Sequence, residues 1–487
     1  MTNNLDRKPG SDRCALLSVG ASLLAPILFG LSIGYTGAVL DTMKGEIQNM
    51  PPAASLKVFD TKMQASLFSA VLNIGGMFGS LGGGKLAESF GRRRTLVILS
   101  PVFVTSWLIL ALSRSFGFLV LGRGINGLAV GAASVVAPMY IGEIAPTHLR
   151  GALGASNQLA ITIGILAAYL LGLVCVTDAG SPHGKIYSNW TLHTYLMLVP
   201  SILLFVGMAL APETPRWLAS KGRLNDAERT LFKLRGNPSE EELQELRSIK
   251  DRHEIDQTPN EPSVTPIALK DCRVQLVIGI GLQVLQQFTG INAVMYYMPR
   301  MFTQAGVGNV GLWSFLACLI QVLVTVLAVI LMDRLGRRKL LLSGASGLTV
   351  SVFTMGLASF LLLQYNISNL GWLFIISVFS YLTFFSIGVG PIPWLILSEI
   401  FPDNVRAVAS AIATTANWGC GFLVTFYQEN LDMLLKPYGQ LWLYAIFGAI
   451  LISLTYFLIP ETKGKSFDEI QRHFNGKTKD TSDSTRV

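Results

Sequence analysis

The chain has 487 residues, of which 51% are hydrophobic and only 14% charged, with a net charge of +8. Soluble proteins carry about 25% charged residues, and a deficit on this scale arises where hydrocarbon, which cannot solvate ions, surrounds most of the chain. This balance excludes a soluble globular enzyme, and the positive charge does not mark a nucleic-acid partner, because the basic residues sit in short clusters between apolar runs, the pattern that orients a membrane protein.

Residues 1–13 are polar, and the first apolar stretch is long enough to remain as a helix, so no cleaved signal is expected. Residues 16–40 and 311–332 carry no charge at all, and runs of roughly 18 or more apolar residues read as spanning helices. Twelve such segments follow one another: 14–40, 63–84, 95–113, 117–141, 153–176, 193–211, 274–298, 311–332, 340–363, 371–397, 407–428 and 438–459. An even number puts both termini on one side. The clusters Lys85–Arg92–Arg93–Arg94 and Arg334–Arg337–Arg338–Lys339 fall on that side with residues 212–272, so it is expected to be cytoplasmic. Within 212–272, the pieces 224–234 and 240–249 have the spacing of short amphipathic helices. The expected organisation is a cytoplasmic N-terminus (1–13), a six-helix bundle (14–211), this linker (212–272), a second six-helix bundle (273–459) and a cytoplasmic tail (460–487). The fold class is an all-α membrane protein with twelve transmembrane helices in two pseudo-symmetric bundles.

The two halves echo each other. Gly91-Arg-Arg-Arg94 follows the second segment and Gly336-Arg-Arg-Lys339 the eighth; Glu143 and Arg150 follow the fourth, Glu399 and Arg406 the tenth; Pro212-Glu-Thr214 follows the sixth and Pro460-Glu-Thr462 the twelfth. The offsets are 245, 256 and 248 residues, close to a single period. Duplication of a six-helix unit with a midplane site between the copies is the architecture of alternating-access carriers. Nothing resembles the repeated rings of a channel filter. The five cysteines, Cys14, Cys175, Cys272, Cys318 and Cys420, show no metal or disulfide spacing. The five histidines are scattered, so neither an enzyme nor a cofactor is expected.

These signatures resemble those of the sugar porter family of the major facilitator superfamily, near its facilitative hexose transporters. The resemblance covers about residues 15–470. Six motifs carry it: Gly84-x-x-x-Glu88-x-x-Gly91-Arg92-Arg93, Gly122-Arg123, Pro212-Glu-Thr-Pro-Arg216-Trp217, Gln286-Gln-Phe-Thr-Gly-Ile-Asn292, Gly390-Pro-Ile-Pro-Trp394 and Pro460-Glu-Thr-Lys-Gly464. A sugar is neutral and its hydroxyls both donate and accept. Amides match it, each offering a carbonyl and an NH₂, and an aromatic ring suits its apolar face. Gln158, Gln286, Gln287, Asn292, Gln321, Trp394 and Asn417 are such residues in otherwise apolar segments. The competing reading is that amides only join helices to one another. The resemblance implies that Gln158, Gln286, Gln287, Asn292 and Asn417 bind the sugar and that Trp394 caps the pocket, while Gln321 departs from the asparagine expected at its position. A break at Gly290 would bring Gln286 and Asn292 to one cavity.

Pro391 and Pro393 should bend the tenth helix. By resemblance, Tyr296 and Tyr297 belong with them to an extracellular gate and face an outer vestibule; lipid-interface tyrosines are the alternative. Glu88, Arg92, Arg93, Glu143, Arg150 and Glu213 in one half, with Asp333, Arg337, Arg338, Glu399 and Arg406 in the other, are expected to lock the two bundles on the cytoplasmic side, or else only to enforce topology. Proton-linked relatives place an aspartate after the Gly-Tyr of the first helix, where this chain has Thr36. Threonine does not titrate, which favours facilitative uniport of a hexose such as glucose; a proton-coupled symporter and a non-transporting sensor of the same fold are the alternatives. The partners expected are a small neutral sugar, the lipid bilayer and, through Thr485–Arg486–Val487, a PDZ-type domain. A single chain should contain a complete pathway, and the plasma membrane is the expected location, with an endosomal or other internal membrane as the alternative.

Overall fold

The computed structural model describes residues 12–43, 59, 61–178, 186–256, 272–367, 370–463, 465, 469 and 474; the side chains of Asp333 and Arg406 are not among the described atoms, and the C-terminal Thr485–Arg486–Val487 lies outside the described residues. It is nearly all helix, apart from a two-stranded antiparallel ribbon, Val176–Asp178 with Ile186–Ser188. Among the described residues, eleven helices are long and apolar enough to cross a membrane. They coincide with eleven of the twelve expected segments. The remaining one is the helix Asp403–Phe426, 24 residues long. Its small and polar residues, including Thr414, Thr415, Asn417 and Gly421, lower its hydropathy without shortening it. At about 1.5 Å per residue it is still long enough to cross the hydrocarbon.

Several spans are interrupted. The seventh divides into Arg273–Phe288 and Ile291–Gln304, with Gly290 between them at φ +90°. The tenth runs Gly371–Phe384, widens into a single π-type turn over Phe385–Val389 and restarts as Ile392–Ile400. The last, Gln428–Leu458, is kinked at Lys436, φ +60°, just before Pro437. A break inside a membrane is tolerated only where the freed backbone groups find partners in the protein.

The described residues fall into two compact units that do not follow the six-plus-six division of the sequence: those within 1–32, 74–168 and 189–263 form one, and those within 33–73, 169–188 and 264–487 the other. In the first, the linker helices Pro215–Ser220, Leu224–Arg235 and Glu240–Asp256 form a small core of their own around Trp217, Leu231, Leu243 and Leu246. It is fastened to membrane helix ends. Trp217 Nε1 donates to the Glu88 carbonyl at 2.8 Å, and Arg235 donates to the carbonyls of Ile144 and Ala145 at 2.8 and 2.9 Å while pairing with Glu242. These are the orphan C-terminal carbonyls of the Phe116–Ile144 helix, which a cation satisfies best.

The internal repeat recurs at atomic scale. Glu213 accepts from the backbone N–H of Arg93 at 3.0 Å and of Arg94 at 3.4 Å, and Glu461 accepts from those of Arg337 at 2.9 Å and Arg338 at 3.2 Å. Each carboxylate caps a helix that begins one residue after a glycine, Gly91 (φ +96°) or Gly336 (φ +90°). A Cβ on either glycine would lie 2.3 or 2.6 Å from that carboxylate, so the glycine is required twice over, for its φ and for its missing side chain.

Candidate functional site

Gln283, Gln286 and Gln287 share one face of Arg273–Phe288, being three and four residues apart. Gln286 Nε2 donates to the carbonyls of Val389 and Gly390 at 2.7 and 2.9 Å. Pro393 has no N–H to give to the Val389 carbonyl four residues back, and the glutamine takes its place. The prolines thus act at the start of Ile392–Ile400, where a missing N–H costs little, and the bend expected of them is realised as the widened turn before them. Gly388 lets this turn approach the Arg337–Tyr365 helix, since a Cβ there would sit 2.4 Å from the Leu340 carbonyl.

From Gln286 the amides continue as a chain. Asn417 Nδ2 donates to Gln286 Oε1 and to the Gln283 carbonyl, both at 3.0 Å; Gln287 Nε2 donates to Asn417 Oδ1 at 3.0 Å; Asn292 Nδ2 donates to Gln287 Oε1 at 2.8 Å. All four residues are at most 8% exposed. The ends of the broken helix are also served: the Thr289 hydroxyl donates to the Gln286 carbonyl at 2.6 Å, and Tyr381 donates to the Thr289 carbonyl at 3.1 Å. At Gly290 a Cβ would lie 2.4 Å from the ring of Tyr444. Tyr444 is in turn held by Gln428 and Gln440 at 2.8 Å each.

Of the residues singled out from the sequence, Gln286, Gln287, Asn292 and Asn417 therefore form one hydrogen-bonded chain. Gln321 is 3% exposed in the same unit, and its side-chain Oε1 has no hydrogen-bond partner among the described residues. Trp394 is half-buried on Ile392–Ile400, one turn beyond the carbonyls that Gln286 holds. Gln158 is half-buried on Arg150–Val174, in the other unit. Sequence reasoning passed over Gln283, fully buried with no hydrogen-bond partner for its side-chain amide among the described residues. It also passed over Gly421, where a Cβ would lie 2.9 Å from Asn292 Nδ2 and 3.1 Å from Asn73 Oδ1. The first could have been noticed as a third glutamine on one helix face, whereas the second has no signal in composition or period.

Two expectations need correction. Tyr296 and Tyr297 do not face an open vestibule: they are 1% and 3% exposed. Residues 33–43, 61–73 and 169–174 pack in the same unit as their helix. The Tyr297 hydroxyl lies near those of Ser66 and Ser69, and Tyr169 donates to the Met295 carbonyl at 2.5 Å. The charged residues also divide differently. Arg92 pairs with Glu143 at 2.9 Å and Arg337 with Glu399 at 3.3 Å, both partners of each pair belonging to the same half. Among the described residues Glu213 pairs with no guanidinium and instead caps a helix, because the four free N–H groups of a helix start are ready donors to a carboxylate. Arg93 and Arg338 donate to carbonyls at the ends of Leu198–Leu210 and Gln428–Leu458, at Met208, Ala209 and Tyr456. Glu88 and Arg150 are exposed.

Residues 17–474 match the family model described as "Sugar (and other) transporter". The chain is 35% identical to the facilitated glucose transporter member 8 of Mus musculus, covering 97% of this chain and 96% of that one. It is 35% identical to the sugar transporter ERD6-like 6 of Arabidopsis thaliana (93% and 88% covered) and 31% identical to the facilitated trehalose transporter Tret1 of Apis mellifera ligustica (98% and 91%). Among solved structures it resembles the proton:xylose symporter XylE bound to 6-bromo-6-deoxy-D-glucose, with a TM-score of 0.76, 27% identity and 95% of this chain and all of that one covered. It also resembles XylE of E. coli in an inward open conformation, with a TM-score of 0.74. The spans, the repeated motifs and these likenesses agree: the chain is an integral membrane sugar transporter of the sugar porter family, with the major facilitator fold.

Proposed function

We propose that the protein carries a hexose such as glucose by facilitative uniport, through alternating access, as a monomer in the plasma membrane with both termini cytoplasmic. The chain of four amides is the observation that carries this reading. It is uncharged, lies in apolar helices and retains donors and acceptors of both kinds, which is what a neutral polyhydroxylated ligand requires. A carboxylate or ammonium ligand would leave a charge without a counter-charge there, at a large desolvation cost. Gln286, Gln287, Asn292 and Asn417 bind the hydroxyls, with Gln158 and Gln321 contributing and Trp394 against the ring. Tyr296 and Tyr297 close the outer gate, and the packing of residues 33–43, 61–73 and 169–174 with their helix fits an outer side that is shut. The arginine–glutamate pairs stiffen the cytoplasmic helix ends within each half.

Proton symport is the second reading, favoured by the likeness to a transporter whose own description is a proton:xylose symporter. Thr36 weighs against it, since a hydroxyl cannot take up and release a proton at working pH. Purified protein in liposomes, given radiolabelled glucose with and without a pH gradient, separates the two. Uniport requires saturable uptake that equilibrates without the gradient and is lost in Asn292→Ala. Accumulation above equilibrium driven by the gradient refutes it.

A further inference from the structure

The helix Ile291–Gln304 begins at Gly290, and Arg300 sits ten residues further on, about 15 Å along its axis. One neighbour, Gln428–Leu458, holds it at both places. At the near end the ring of Tyr444 rests against Gly290. At the far end Arg300 Nη1 lies 3.3 Å from Glu429 Oε1, and Nη2 lies 3.9 Å from Asp432 Oδ2. Glu429 is only 3% exposed and Arg300 21%. The kink at Lys436 folds the start of this neighbour back, so that Gln428 and Gln440 bond across it at 3.1 Å. Lys62, at the start of Lys62–Phe90, adds a second positive charge near Asp432.

Burying a carboxylate is costly unless a cation stays beside it. The cluster is therefore stable only while the far end of Ile291–Gln304 remains where Arg300 meets Glu429. Tyr297, one turn before Arg300, is buried near Ser66 and Ser69, which are buried themselves. We infer that Arg300, with Glu429 and Asp432, is a positioning residue for transport, a clamp that keeps this gate helix closed and must release before it swings about Gly290. The inference rests on the gate reading of Tyr296 and Tyr297 given above, and it adds the element that sets how often the gate opens.

The test needs neither the substrate nor the orientation. Ser69 is fully buried near Tyr297, so Ser69→Cys is a reporter of opening, read as the maleimide labelling rate of the peptide containing residue 69 in detergent-purified protein. Arg300→Ala and Glu429→Gln should each speed labelling at least about fivefold, and the charge exchange Arg300→Glu with Glu429→Arg should return it toward the parent rate. Leu362→Ala, which enlarges the same pocket without touching a charge, should leave labelling within twofold. Labelling unchanged in Arg300→Ala, no recovery in the exchange, or equal acceleration by Leu362→Ala overturns the clamp. Hexose uptake is measured in parallel: faster labelling without uptake in the parent refutes the hexose reading alone, and uptake without a labelling response refutes the clamp alone.

Discussion

Asn417 stands at the centre of the amide chain, and its orientation is dictated by what surrounds it. Its Nδ2 faces two acceptors, Gln286 Oε1 and the Gln283 carbonyl, and its Oδ1 faces the donor Gln287 Nε2, all at 3.0 Å. Asn417→Asp keeps the shape, replaces the NH₂ donor by an acceptor oxygen and adds a carboxylate whose burial raises the cost further. Two buried acceptors then confront a carboxylate oxygen. Each loses a hydrogen bond worth about 1 kcal/mol net and keeps part of a desolvation cost of about 1–3 kcal/mol. Allowing for rearrangement, the total is about 2–4 kcal/mol, equivalent to about 30- to 700-fold in kcat/KM for uptake. The assay is initial-rate glucose uptake into liposomes at matched reconstitution, with Asn225→Asp on the exposed linker as the control for the charge itself. Uptake by Asn417→Asp within threefold of the parent would refute the reasoning, because the amide chain would then not hold the binding groups in place.

Three further substitutions test neighbouring parts. Gly421→Ala places a methyl group 2.9 Å from Asn292 Nδ2 and 3.4 Å from Gln287 Oε1; it should raise KM about tenfold or more with little loss of thermal stability, since flexible side-chain ends yield but lose their geometry. Gly290→Ala combines a strained φ of +90° with contact on Tyr444, for an expected cost of about 2–4 kcal/mol, and a thermal midpoint equal to the parent's would show that the break does not need glycine. Glu213→Ala and Glu461→Ala each remove the cap of one helix and should each cost about 1–2 kcal/mol in denaturation of the purified protein; a loss at one site only would mean that the repeated motifs no longer do the same job.

The spans and the repeat were legible because both are written in composition and spacing. An amide inside an apolar run is equally visible, which is why Gln286, Gln287, Asn292 and Asn417 stood out. What escaped was geometry that composition does not encode. Glu213 and an arginine side chain look like partners on paper, yet the carboxylate goes to a helix start, and only the position of Gly91 hints at it. The burial of Tyr296 and Tyr297 depends on which conformation the chain occupies, and a sequence describes all of them at once. The helix Asp403–Phe426 shows the converse: its small and polar residues make it weak as a hydropathy signal while supplying the centre of the amide chain.

The two helix caps also set an order of events during synthesis. Glu213 reaches back 120 residues to the N–H of Arg93, and Glu461 reaches back 124 to that of Arg337. A ribosome must therefore finish each half before the helix near its beginning acquires its cap. The first half can complete its own start while the second is still being made. The second half waits until Glu461 has emerged, so a nascent chain that stops short of it carries a fully translated Arg337–Tyr365 helix whose first turn is still uncapped.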